Sequence, residues 1–148
     1  MRNLLLFLHL AAAILWMGGM AFMVLALRPA LHANLQPPVR LPLMAQVLRR
    51  FFAVVMASIA VLLATGLVLF QQVPAAQAPP GWHAMATLGV LMVLVFGHIW
   101  FVPWRRLHGA LAAQNWPEGG RHMNQITLLA KVNLGLGWLA IAAVVLWR

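Results

Sequence analysis

The chain has no cysteine and only one acidic residue, Glu118, in 148 residues. Without cysteine there are no disulfides, no thiolate metal sites and no thiol catalysis. With a single carboxylate there is no Asp/Glu acid–base pair, no carboxylate metal site and no Ser-His-Asp triad. No glycine-rich phosphate loop is present either; Gly18 and Gly19 lie inside an apolar run, where small residues let helices approach closely. Charged residues make up 7% of the chain and hydrophobic ones 64%, far from the balance of a water-soluble domain. Such a chain suits a bilayer, and its length suits one domain, residues 1–148.

Ten Lys and Arg residues against Glu118 give a net charge of +9. The arginines stand at the ends of apolar runs, not in a stripe interleaved with aromatics. The charge therefore points to anionic membrane lipids and the positive-inside rule, and not to nucleic acid.

A membrane span needs about 20 apolar residues. Residues 4–27 qualify, interrupted only by His9, and so do residues 51–70 with Ser58 and Thr65. Residues 84–102 carry His98 near their end, and residues 126–147 include Lys131 and Asn133. Arg2 followed by Leu4–Leu10 has the look of a signal peptide. The apolar run continues to Leu27 without a cleavage site, however, so it is expected to be a first membrane helix. The fold class predicted is all-α, a four-transmembrane-helix bundle.

Arg28, Arg40, Arg49 and Arg50 lie in the first connection, residues 28–50, where Pro29, Pro37, Pro38 and Pro42 are expected to break any long helix. Residues 71–82 carry no charge, and residues 103–125 carry Arg105, Arg106 and Arg121. The positive-inside rule puts loops 28–50 and 103–125 in the cytoplasm and both termini, with Arg2 and Arg148, outside. Trp82, Trp100, Trp104 and Trp147 fall near span ends, as interfacial indoles do, and Lys131 is placed to snorkel.

Histidine and methionine are the residues left to carry chemistry. An ionisable residue within a span is a functional candidate by default, and His9 is one. His9, Ala13, Trp16, Met20 and Met23 share one helical face, with Ala12 and Gly19 leaving space beside the histidine that a flat cofactor would need. The plain alternative is a histidine bonded to a hydroxyl or a carbonyl within the bundle. His83 and His98 bracket the third span within about 60° of each other and roughly 22 Å apart, a spacing compatible with two stacked haems. His83 is the histidine nearest in depth to His9, about one turn higher, and His122 is the closest partner for His98. His32 and His108 fall in loops and are expected to be solvated. Met17, Met20 and Met23 step through the first span, with Met56 and Met92 in others. Thioethers suit Cu(I), and methionine is equally a common filler of cores.

Leu8-His9-Leu10 followed by Trp16-Met17-Gly18-Gly19 resembles the start of the CopD copper-resistance membrane proteins and of the related HemJ protoporphyrinogen oxidases. Arg49-Arg50-Phe51-Phe52 through Thr65-Gly66-Leu67 resembles the Arg-Phe … Thr-Gly-Leu pattern of CopD proteins. Trp82-His83-Ala84-Met85, with His98 beyond, is similar to the HemJ segment Trp-Leu-His-Ala-Lys, and Arg121-His122-Met123-Asn124-Gln125 to its Arg-x-x-Asn-Glu. The resemblance implies a multi-pass protein of a bacterial inner membrane. For HemJ-like members it implies haem b, with His9 as an axial ligand and His83 or Met85 opposite, engaged in electron transfer or in oxidation of a lipid-soluble reductant or porphyrin. The HemJ lysine falls at Met85 and its acidic residue at Gln125, which speaks against porphyrinogen oxidation. A second possibility is CopD-like copper transport through His9, Met17, Met20 and Met23. A third is a haemless structural subunit of a larger membrane complex or homo-oligomer. Only the first would make the chain an oxidoreductase.

The arginine asymmetry makes the topology testable. With Ala76→Cys and Ala113→Cys in separate variants, only the first should react with an impermeant thiol reagent in intact cells. Labelling at position 113 alone would reverse the orientation.

Overall fold

The computed structural model describes residues 1–74 and 77–147; Ala76 and Arg148 lie outside them. Six α-helices follow one another: α1 (Arg2–Phe22), α2 (Arg28–Asn34), α3 (Pro37–Gln71), α4 (Pro80–Phe101), α5 (Pro103–Ala112) and α6 (Trp116–Leu146), with a π-helical turn, Met23–Leu27, joining α1 to α2. Four helical stretches are long and apolar enough to cross a membrane, and each contains one expected span. The four-helix expectation therefore holds.

The connections are more helical than the prolines suggested. α3 runs without a break from Pro37 through Pro42. Pro37 and Pro38 occupy the first turn, where an amide would have no partner in any case, so only Pro42 forfeits a bond within the helix. The chain breaks instead at Leu35 and Gln36, both extended. α5 starts at Pro103 and ends ahead of Gln114, whose φ of 52° turns the chain. Asn115 then caps α6, accepting from the Glu118 amide at 3.3 Å.

α1 packs against α3 and α4 against α6, two antiparallel pairs, with α5 folded onto α6. Apolar side chains gain little by leaving lipid for one another, so small residues and shape decide such pairings. Gly81 shows this best. Its amide donates to the Trp147 carbonyl at 3.1 Å, and a Cβ there would sit 2.2 Å from the Ala143 carbonyl oxygen and 2.5 Å from that of Trp147. Gly19 meets the ring of Phe51 in the same way.

An aromatic seam joins the two pairs. Phe52 on α3 lies 5.4 Å from Phe96, 6.0 Å from Trp100 and 4.9 Å from Trp104, centroid to centroid. Trp16 on α1 meets Phe96 edge-on at 6.5 Å. Trp104 is thus buried in the bundle and Trp100 partly so, so both indoles pack against protein. Trp147 is exposed as expected, and Lys131 is exposed as well.

Gly81→Ala should therefore lower the thermal stability by about 1–3 kcal/mol, the usual cost of overpacking. Gly89→Ala meets open space and should be neutral or gain up to about 1 kcal/mol of helix propensity. Equal thermal unfolding of the two variants in detergent would contradict the close approach at Gly81.

Candidate metal-binding site within the bundle

Near the end of the bundle that holds the termini, His9 of α1 faces Thr65 and Gly66 of α3. Its Nδ1 lies 2.8 Å from Thr65 Oγ1. The threonine hydroxyl proton is committed to the Val61 carbonyl at 2.6 Å on its own helix, so Oγ1 accepts and His9 Nδ1–H donates. With the Leu62 carbonyl also bonded to the ring, this network assigns the proton to Nδ1 and the lone pair to Nε2, the arrangement that suits an imidazole to metal binding. Gly66 makes room for the ring: a Cβ there would stand 3.2 Å from His9 Cε1. Thr65 is buried and His9 half-buried. Residue order alone does not mark Thr65 and Gly66 as partners of the histidine.

Of the residues expected to leave space beside His9, Ala12 is buried in helix packing, and Gly19, about 15 Å further along α1, is met by the ring of Phe51.

The other histidines do not assemble around His9. His83 is exposed on α4 and meets Phe70 of α3 edge-to-face at 5.2 Å. Phe70 is one turn along α3 from Gly66, so the depth offset between His9 and His83 is the one expected. Met85 is half-buried and His98 is exposed. His122, by contrast, is buried, and both its nitrogens are engaged: Nε2 with Glu118 Oε1 at 3.0 Å and Nδ1 with Gln125 Oε1 at 3.1 Å. It is thus held within α6 and is not paired with His98. His32 and His108 are exposed as expected. Among the described residues no three His, Asp or Glu side chains gather in a metal-binding group.

The methionines divide sharply. Met20, Met23, Met44, Met92 and Met123 are buried in one core cluster, and Met17 packs against it. Met56 is 51% exposed and faces outward, which removes it from the stripe. Gly137 on α6 admits the Met17 thioether, for a Cβ there would lie 2.8 Å from its sulfur. Asn133, also on α6 and 1% exposed, donates from Nδ2 to the Met92 carbonyl at 3.2 Å, while its Oδ1 has no partner. Met44 and Met123 line a cavity of about 160 Å³ at the arginine-bearing end. Met44 and Met123 carried no weight in the sequence because they fell in the expected connections, which are helical here, and Asn133 because a span does not reveal which face turns inward.

The family model for copper resistance protein D, CopD, matches residues 45–147. The chain belongs to the CopD family. The matched stretch of this CopD protein includes Thr65, Gly66, Met92, Met123 and Asn133; α1, with His9 and its methionines, precedes it. No curated protein sequence and no solved structure matches the chain.

Thr65→Val tests the tautomer of His9 in the CopD protein. Nitrogen-15 shifts of histidine should report Nδ1–H at His9 in the parent and a mixed population in the variant. Metal affinity at Nε2 should fall by about 10- to 100-fold with the loss of the orienting bond. An Nε2–H tautomer in the parent would contradict the arrangement.

Proposed function

We propose that this CopD-family protein carries Cu(I) through the bilayer, with His9 as the ligand at the terminal end and the buried methionines as the route to the arginine-bearing end. The observation that carries this is the methionine distribution: five of the nine methionines are buried in one cluster. That cluster runs from mid-bundle to the cavity lined by Met44 and Met123. Filler methionines would be expected on lipid-facing surfaces as readily as inside, and only Met1 and Met56 are strongly exposed.

The chemistry is ligand exchange. Cu(I) is soft and favours thioether sulfur, and imidazole nitrogen also serves it. All these ligands are neutral, so the ion keeps its single charge, and no thiolate or carboxylate holds it fast. His9 to Met17 is about 12 Å along α1, and Met17 to Met23 about 9 Å. Met20 and Met92 belong to the same core as Met23, and the unpartnered Asn133 Oδ1 beside Met92 offers a further oxygen donor. With the arginine-bearing end in the cytoplasm, as the charge asymmetry favours, His9 faces the outer side.

Haem b with His9 and His83 or Met85 draws support from the available Nε2 alone. The exposure of His83 and His98, away from His9, weighs against it.

The test is uptake of Cu(I) by proteoliposomes containing the triple variant Met20→Leu, Met23→Leu, Met92→Leu. Leucine conserves volume at a cost below about 1.5 kcal/mol per site, so the variant should fold while uptake falls to that of protein-free vesicles. Unchanged uptake by the folded variant would return the methionines to filler. The purified parent should show no Soret band, and one at full occupancy would restore haem.

A further inference from the structure

The cavity at the arginine-bearing end has a second character. Its floor is apolar, made by Leu41, Met44 and Met123, and its rim is Arg28, His32, Arg40 and Asn124. Arg28 and Arg40 are half-buried, and Arg40 is close enough to bear electrostatically on both Arg28 and His32. Two guanidiniums sharing one cavity repel each other, and the repulsion grows as water is excluded.

Among the described residues no carboxylate pairs with them. The one acidic side chain, Glu118, lies 3.0 Å from His122 and 3.7 Å from Arg121. Arg28 donates instead to the Asn124 side-chain oxygen. Arg40 donates to the Leu35 carbonyl at 3.2 Å and lies 3.3 Å from His32 Nδ1. Each guanidinium has five donors, and these neutral acceptors leave most of them, and both charges, unmatched.

The backbone aims Arg28 into this cavity. A regular α-helix would continue the inward stripe of Trp16, Met20 and Met23 at Leu27. The π-helical turn widens the helix by one residue, so that the Arg28 amide bonds to the Met23 carbonyl and Arg28 follows the stripe. Such turns are uncommon and cluster at functional sites.

Depth adds a further argument. About 30 Å of hydrocarbon beginning at Leu4 ends near Val24. The contact of Gly19 with Phe51 in the antiparallel pair brings that level alongside Gln46 of α3, about one turn beyond Arg49 and Arg50. Arg28 lies about 6 Å further out, within a headgroup layer of about 5–7 Å per side.

We propose that the Arg28–Arg40 cavity binds a phosphate group, that of an anionic phospholipid whose glycerol end lies over the apolar floor. Guanidinium forks match phosphate oxygens in pairs, basic pockets between membrane helices hold lipid headgroups, and the depth favours a lipid over a soluble ion. The site does not depend on copper passage.

The experiment follows thermal unfolding of the full-length protein in non-ionic detergent. The additions are phosphatidylglycerol, phosphatidylcholine or inorganic phosphate. Phosphatidylglycerol should raise the Tm by binding the folded state, phosphatidylcholine should not, and high salt should reduce the rise. Arg28→Gln and Arg40→Gln should each weaken the apparent affinity for phosphatidylglycerol by about tenfold. Gly120→Leu offers a test without a change of charge. Gly120 lines the cavity and has open space at its Cβ position, so the leucine should fold and fill the cavity. The Arg49→Gln, Arg50→Gln double variant, altered away from the cavity, should keep the full rise. A rise with inorganic phosphate equal to that with the lipid would support the phosphate site while overturning its assignment to lipid. Equal rises with the two lipids, or equal losses in the Arg49/Arg50 variant, would overturn the proposal.

Discussion

Phe52 stands where two helix pairs meet, and the rest of the bundle is arranged around that contact. In lipid an apolar side chain has no strong reason to prefer another helix over an acyl chain, so association rests on shape, dispersion and a few polar bonds. Each pair has its own device for close approach: Gly19 against Phe51 between α1 and α3, and Gly81 against the α6 backbone between α4 and α6. Neither device reaches across the pairs. Contact between the pairs comes from Phe52 among Phe96, Trp100 and Trp104, from Trp16 against Phe96, and from Met17 seated at Gly137. Edge-to-face aromatic pairs contribute about 0.5–1.5 kcal/mol each beyond area burial, enough in sum to define one arrangement. Met20, Met23 and Met92 share the core with this seam, so what makes the bundle also encloses the thioethers.

The polar groups of the interior are few, and most are spent locally. Thr127 donates back to the Met123 carbonyl on its own helix. Thr65 does the same toward Val61, yet its oxygen also accepts from another helix, and that single shared atom orients His9. Asn133 reaches across to Met92 and leaves one oxygen unmatched. A buried carbonyl without a partner costs about 1–3 kcal/mol, and its position among methionines gives it a use if a soft cation passes.

Charge follows the opposite pattern, concentrated at one end and poorly balanced there. Glu118 is committed to His122 and Arg121, and a partly exposed pair such as the latter contributes little to stability. The guanidiniums of Arg28 and Arg40 face neutral acceptors only. Among the described residues the interior therefore carries no formal negative charge, and the guanidiniums of the arginine-bearing end are met by neutral acceptors.

The number of spans, their approximate limits and the uneven placement of arginine were all legible from residue order, because hydropathy and charge are summed along a helix. The resemblance that pointed to the CopD family was legible as well, at Thr65-Gly66 and Arg49-Arg50-Phe51. What residue order could not decide was facing. In water the apolar stripe of a helix marks its buried side, whereas in a bilayer lipid and core are both apolar, and the stripe carries little information. Hence Met56 and Met92 looked equivalent, though one faces outward and the other is enclosed. Trp104 looked like an exposed indole but is buried in the seam, and the small Gly19 admits the ring of Phe51. His9 could be singled out as a histidine within a span. Its partner lay 56 residues away on another helix, and only the register of α1 against α3, set by Gly19 and Gly66, brings the two together.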